Sequence, residues 1–309
     1  MKIGRILALI FVFYTVSFSQ NTFEFMRIDN SARAGALAGT FTANTDDPNV
    51  IFYNPAGLNL VENNSISFSY TGYLESIKLA SLAYTSEIKD LFKYGAAIKY
   101  AGYGTMTEAD EYGNKLGDFS ANEFALILGA GSTLDQNFYY GGNAKFIYSK
   151  IADKSSTAIA VDLGLNYYVP DELLSLGFSV LNLGTQLSTY MDTKEDLPLD
   201  IAVGVSKKMA HLPLRLSLDF HRLNKERDNF IDKFRAFTLG AEFTLSKALS
   251  LRIGYDNERR KDLKVGTFSG ISGFNGGLGL KVSNYTFDYG FSSMGLIGTI
   301  HRISIATNL

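Results

Sequence analysis

From Ser65 to the end of the chain, apolar and polar residues alternate with a period of two. Leu214, Leu216, Leu218 and Phe220 alternate with Arg215, Ser217, Asp219 and His221. Ile159, Val161, Leu163, Leu165 and Tyr167 alternate with Ala160, Asp162, Gly164 and Asn166, and Tyr285, Phe287, Tyr289 and Phe291 with Thr286, Asp288 and Gly290. Successive side chains of a strand point to opposite faces, so each segment has one apolar and one polar face. About 14 such segments follow one another, an even number suited to a bacterial single-chain barrel. They begin near Ser65, Ile77, Lys93, Asn122, Phe138, Ser156, Leu174, Leu199, Leu214, Phe234, Leu249, Gly276, Tyr285 and Gly298.

The connections sharpen this reading. After odd segments come Tyr73–Ser76, Tyr103–Ala121, Lys150–Ser155, Gly184–Pro198, Asn224–Lys233, Asp256–Asn275 and Ser292–Ile297, mostly long and polar. After even segments come short links such as Asp135–Asn137, Pro170–Leu173 and Ser283–Asn284. Membrane barrels alternate in this way, with long extracellular loops and short periplasmic turns, which places both ends of the barrel on the periplasmic side. A soluble sandwich would have to bury every apolar face in one core, whereas a barrel turns them to lipid. No later stretch approaches the roughly 20 apolar residues of a membrane helix, so a membrane-spanning form must be a closed barrel with no open sheet edge. The predicted class is therefore all-β, a transmembrane antiparallel barrel.

The first residues read as an export signal. Lys2 and Arg5 precede the apolar run from Ile6 to Val16, and small Ser17 and Ser19 precede a cut after Ser19 or Gln20. The expected division is 1–19 signal peptide, 20–64 N-terminal segment and 65–309 barrel. Cysteine is absent, which excludes disulfides, thiolate metal sites and a lipid-modified cysteine near the cut. The net charge of −2 includes Lys2 and Arg5 and becomes −4 without them, so no basic surplus exists to hold a nucleic acid. The 23 Phe and 18 Tyr coexist with a mean hydropathy of +0.02, as alternation requires. Trp is absent, leaving Tyr to supply rings at the membrane interfaces.

Residues 21–64 break the alternation. They carry Ser31-Ala-Arg33-Ala-Gly35-Ala-Leu37-Ala-Gly39, then Asp46-Asp47-Pro48-Asn49, then Tyr53-Asn54-Pro55-Ala56-Gly57-Leu58. Small residues allow close packing, and Asp-Pro-Asn and Asn-Pro-Ala-Gly form turns. This series resembles the N-terminus of the PorV/PorQ family, relatives of the FadL-like long-chain fatty acid transporters, and is closest to the PorQ branch. The similarity continues through Tyr103-Gly104-Thr105-Met106, Gly117-Asp118-Phe119-Ser120-Ala121 and Val180-Leu181-Asn182-Leu183-Gly184. The resemblance implies a 14-stranded barrel holding residues 21–64 as a hatch. It further implies an anchor or scaffold role in the attachment complex of the type IX secretion system. There a PorQ-like barrel would hold a PorZ-like surface protein beside PorV and a PorU-like sortase that joins cargo to lipopolysaccharide.

Candidate chemistry is sparse. Ser217, Asp219 and His221 share a face, but same-face neighbours lie about 6.6 Å apart, so Ser217 and His221 stand roughly 13 Å apart, too far for a nucleophile and its base. His211, His221 and His301 have no ligand spacing. No catalytic, cofactor or metal site is expected, and an outer-membrane enzyme is the weakest reading. Lys99, Lys145, Asp162, Asp219, Glu242, Arg252 and Asp288 fall on polar faces and are expected to line the lumen, with Arg33 as their partner. Arg33, Asp46, Asp47, Asn54, Pro55 and Gly57 are the expected hatch residues. Glu108, Asp110, Glu111 and Asp118, in the expected 103–121 loop, are the candidate partner contact. The mixed charges of Asn224–Lys233 and Asp256–Lys264, facing outward, could bind lipopolysaccharide, ions or a protein partner. The competing function is transport of hydrophobic small molecules through a lateral opening, for which Gly102, Gly104, Gly141 and Gly142 are candidate strand kinks.

Overall fold

The computed structural model describes residues 21–62, 64–88, 92–227, 229–264 and 270–309. The expected signal peptide lies outside these residues. Fourteen strands form one closed antiparallel barrel: β1 (Ser65–Gly72), β2 (Lys78–Ile88), β3 (Phe92–Ala109), β4 (Lys115–Asp135), β5 (Phe138–Ile151), β6 (Lys154–Val169), β7 (Leu174–Ser188), β8 (Asp200–Lys208), β9 (Leu214–Phe220), β10 (Phe237–Thr244), β11 (Leu249–Asp256), β12 (Phe274–Val282), β13 (Tyr285–Ser293) and β14 (Thr299–Asn308). Each strand pairs with its sequence neighbours, and β1 closes on β14 from Ser65 opposite Asn308 to Gly72 opposite His301.

The alternation decides which face looks where. On β13, Phe287 and Tyr289 are exposed while Asp288 is buried. On β14, Ile303 is 61% exposed while its neighbours Arg302 and Ser304 are buried. The outer wall is therefore apolar and the inner wall polar, the reverse of a soluble barrel and the pattern of one immersed in hydrocarbon. All seven ionisable residues assigned to the polar faces, from Lys99 to Asp288, are buried inside.

The barrel is uneven in height. β3 and β4 run on past the rim: β2 leaves β3 at Gly102 and β5 leaves β4 at Ala121, and beyond these points the two strands pair only with each other. The expected loop 103–121 is therefore a projecting ribbon whose turn is residues 110–114. Alternation fails to reveal this extension because both faces of a ribbon above the membrane meet water. Likewise β7 continues to Ser188, and a short helix α2 (Asn257–Asp262) lies in the β11–β12 connection. Long connections remain between β7 and β8, β9 and β10, and β11 and β12, and their described residues, 189–199, 221–227, 229–236, 257–264 and 270–273, lie on the rim opposite the chain ends of the barrel.

Candidate functional site: the filled lumen and its outer vestibule

Residues 22–61 lie within the barrel and are mostly buried, with Glu24 and Asp46 exposed. The helix α1 (Ala32–Ala36) is capped by Ser31, whose side chain accepts from the Ala34 amide. Apart from Arg33 its residues are small, and they press against the wall. A Cβ on Gly290 would lie 2.4 Å from the Ala32 carbonyl oxygen, and one on Gly277 would lie 2.6 Å from the Ala36 Cβ. The Asn54-Pro55 turn is seated in the same way. Asn54 caps it through the Ala56 amide and donates to the carbonyls of Thr42 and Leu165. A Cβ on Gly164 would lie 2.1 Å from the Asn54 carboxamide oxygen, and one on Gly141 would lie 2.5 Å from the Pro55 carbonyl. Gly141 thus makes room for the turn and kinks nothing, since β5 keeps its register with β6 from Phe138 to Ile151. Gly142 sits in the same unbroken ladder. Gly57 packs on the Asn44 carbonyl and Val50, closing the turn.

At the inner end of the lumen, ions lock the segment to the wall. Arg33 makes a bidentate pair with Glu242 at 2.9 and 2.8 Å and reaches Asp46 at 2.9 Å and Asp47 at 3.4 Å. Arg215 grips Asp46 from β9 at 3.0 and 2.7 Å. Arg252 bridges Glu242 and Asp288, both at 2.6 Å. Burial opposes the Asp46 charge, but Arg33 and Arg215 outweigh it and hold its carboxyl well below the usual carboxylate range. At Asp47 burial prevails over Arg33 and pushes the carboxyl up. Asp47 also caps the following turn by accepting from the Asn49 amide. Higher in the lumen, Asp219 accepts from the amides of Phe41 and Thr42 at 2.9 and 2.8 Å, and the Lys99 ammonium donates to the Ile28 carbonyl at 2.6 Å. These wall residues satisfy backbone groups of a segment with little regular structure of its own.

Above this contact the lumen opens into two adjoining cavities of about 110 and 420 Å³. Arg27, Asp29, Arg222, Asp256, Glu258 and Arg259 line both. Arg222 and Arg227 pair with Glu258 at 2.8 and 2.7 Å. His221, just past β9, lies 3.5 Å from Asp200. Burial opposes its charge, but the hydrogen bond and charge of Asp200, with Asp219 and Asp256 behind them, raise its imidazole to about 9. The sequence marks Asp256–Lys264 as a charged outward-facing segment, but not that Asp256, Glu258 and Arg259 line this vestibule, which is assembled from separate rim segments that share no motif.

The residues weighed for catalysis serve other ends. The Ser217 hydroxyl bonds Ser206 at 2.9 Å, Asp219 holds the backbone of residues 41–42, and His221 faces Asp200. The four acids of the candidate partner contact are spread along the ribbon. Glu108 lies on β3 and Asp118 on β4, where it pairs with Lys115 at 2.9 Å. Asp110 closes the turn by accepting from the Tyr112 and Asn114 amides, and its hydrogen bonds to Asn114 hold its carboxyl below the usual value. Glu111 is exposed in that turn. At the ribbon's base the β3–β4 ladder slips between Gly102 and Thr105, with Gly104 at φ +73°, a conformation that suits glycine.

A scan against protein-family models and a search of curated proteins give no match. Solved structures do match. A Pseudomonas aeruginosa FadL homologue superposes with a TM-score of 0.58 at 12% identity, over 90% of this chain and 98% of that one. The Ralstonia pickettii toluene transporter TbuX gives 0.57 at 13%, over 89% and 96%. The Pseudomonas putida toluene transporter TodX gives 0.59 at 11%, over 90% and 96%. At such low identity the likeness is one of fold, and the fold of this chain is that of FadL-like outer-membrane barrels.

Proposed function

We propose that the chain is an integral protein of the bacterial outer membrane that works as a closed, non-enzymatic anchor. The observation that carries this reading is the lumen. Residues 22–61 fill it, the Arg33–Glu242–Arg252–Asp288 chain ties them to the wall, and the space left above sets paired charges among apolar side chains such as Phe25, Ile28, Tyr73 and Ile77. Hydrophobic ligands favour largely apolar chambers, because each unpaired polar group they cover costs free energy. A barrel sealed and charged in this way is better suited to holding something at the cell surface. The sequence resemblance to PorQ supplies the finer proposal: a scaffold in the type IX attachment complex that holds a PorZ-like surface protein, with PorV and a PorU-like sortase nearby. The acidic ribbon of β3 and β4 is the proposed contact.

A second reading has its own support. The solved structures that share the fold include toluene transporters, and the β3–β4 ladder slips beside Gly104, where a lateral opening could form. Deleting the gene separates the two. Loss of surface attachment of secreted cargo with normal uptake of long-chain fatty acid supports the anchor; impaired uptake with normal attachment supports transport. Co-purification of a PorZ-like protein with the wild type, but not with a ribbon-shortened form, would add independent support.

A further inference from the structure

The lipid-facing wall does not end at the rim above β9–β12. Asp219 points inward to the backbone of residues 41–42, so Phe220 beside it points outward. The chain after β9 returns as a 3-10 turn, Phe230–Arg235, and lays Phe234 edge-on against Phe220 at 5.3 Å. Phe230 packs on Phe234 at 5.5 Å. Opposite Phe220 in the sheet stands Phe237, whose ring meets Tyr255 at 6.1 Å, and Tyr255 meets Phe274 at 5.2 Å. Six rings thus run as an arc around the outer end of four strands. Phe230 and the adjacent Ile231 remain 73% and 79% exposed.

Cations sit at the edge of this arc. The Arg260 guanidinium stacks over Phe274 at 5.8 Å, Arg235 is 59% exposed, and Lys261 and Lys264 are exposed. Residues 230–235 and 260–264 contain five Lys or Arg against Asp232 and Asp262, a surplus of three positive charges. Strands β9, β10 and β11 are among the shortest in the barrel, with 7, 8 and 8 residues. On this side the apolar arc carries the lipid-facing surface beyond the strand ends.

We infer that this arc and its cationic edge form a docking surface for a phosphorylated glycolipid of the outer leaflet, of the lipid A type. Its acyl chains lie on Phe220, Phe234 and Phe237, Phe230 and Ile231 insert between them, and its phosphates meet Arg235, Arg260 and Lys261. Continuity with the lipid-facing wall selects a lipid as the occupant. Ring faces and guanidinium groups suit the boundary between acyl chains and phosphate. The inference rests on the membrane reading proposed above and can fail separately from it.

The absence of Trp makes a direct test possible. Phe230→Trp and, as a control in the lipid-facing wall, Leu278→Trp are each reconstituted as the full chain into bilayers of brominated phosphatidylcholine containing bisphosphoryl lipid A. Both emissions are expected to be blue-shifted and quenched by bromine. If the Phe230→Trp emission is water-exposed and unquenched while that of Leu278→Trp is quenched, this inference alone is overturned; two unquenched reporters overturn it together with the membrane reading. In parallel, lipid A binding to detergent-solubilised wild type is compared with that to the Arg235→Ala/Arg260→Ala/Lys261→Ala variant. The variant is expected to bind at least about tenfold more weakly. Dephosphorylated lipid A should bind the wild type as weakly as the variant binds lipid A, and inorganic phosphate should compete poorly. Equal binding by variant and wild type, or full competition by inorganic phosphate, overturns the assignment of a lipid site.

Discussion

The inner and outer halves of the lumen use the same residue types to opposite effect. At the inner end, Arg33, Arg215 and Arg252 each meet carboxylates in close geometry, and Arg33 and Arg252 are nearly sealed from solvent. At the outer end, Arg27, Arg222 and Arg259 face open volume beside Asp29, Asp256 and Glu258. The difference lies in what the N-terminal segment brings. Near Asp46 its charges of both signs meet wall residues that are nearly sealed from solvent; near Arg27 they pair partly within the segment itself, Arg27 with Glu24 at 2.7 Å, and border the vestibule. Buried ion pairs contribute little net stability when formed, but breaking one leaves a charge without water or partner. The inner contact therefore acts as a lock, and the vestibule as a surface that can change.

This contrast orders the expected effects. Arg33→Glu places a like charge against Glu242, Asp46 and Asp47 and should weaken the seating of residues 22–61 by about 3–5 kcal/mol. Amide exchange should speed up across 31–47 while the strands hold their protection; unchanged exchange would mean that the ion network does not hold the segment. Asp219→Ala, which orphans the Phe41 and Thr42 amides, should cost about 1–3 kcal/mol and accelerate exchange mainly at those two positions. His221 gives a pH-dependent effect. Its pKa is raised to about 9 in the folded chain from 6.5, so its contribution is complete below 6.5 and fades as pH rises towards 9. Thermal unfolding should lose up to about 3 kcal/mol of stability across that window, and His221→Gln should flatten the profile. At the vestibule's far side, replacing 106–119 by a tight turn should change barrel stability by no more than about 0.5 kcal/mol while abolishing binding of the proposed surface partner. A large loss of stability would reassign the ribbon to the fold.

The contrast also tells how far the sequence could be read. The barrel was legible because lipid on one side and polar groups on the other impose a period of two on every strand. The same signal lapsed at Thr105–Ala109 and Leu116–Ser120, where both faces meet water and pairing leaves no apolar trace. Gly141 looked like a kink because a strand glycine carries no mark of what approaches it; only the position of Pro55 explains it. Gly102 and Gly104 do lie at a break in the ladder. Arg33 and Asp46 stood out as charges among small residues, but their partners Glu242 and Arg215 lie about 200 and 170 positions away, a pairing set by topology alone. The vestibule and the aromatic arc were illegible for the same reason, since each is assembled from rim segments that alternation does not describe.

The account depends above all on residues 22–61 lying inside the barrel, and the lack of cysteine allows this to be tested where the protein works. The hydroxyls of Thr40 and of Thr238 on β10 are 3.1 Å apart. In Thr40→Cys/Thr238→Cys protein recovered in the outer-membrane fraction, mild oxidation should join the two thiols almost completely and leave none for a maleimide. Two thiols that stay free and reactive in the folded, membrane-inserted protein would contradict it.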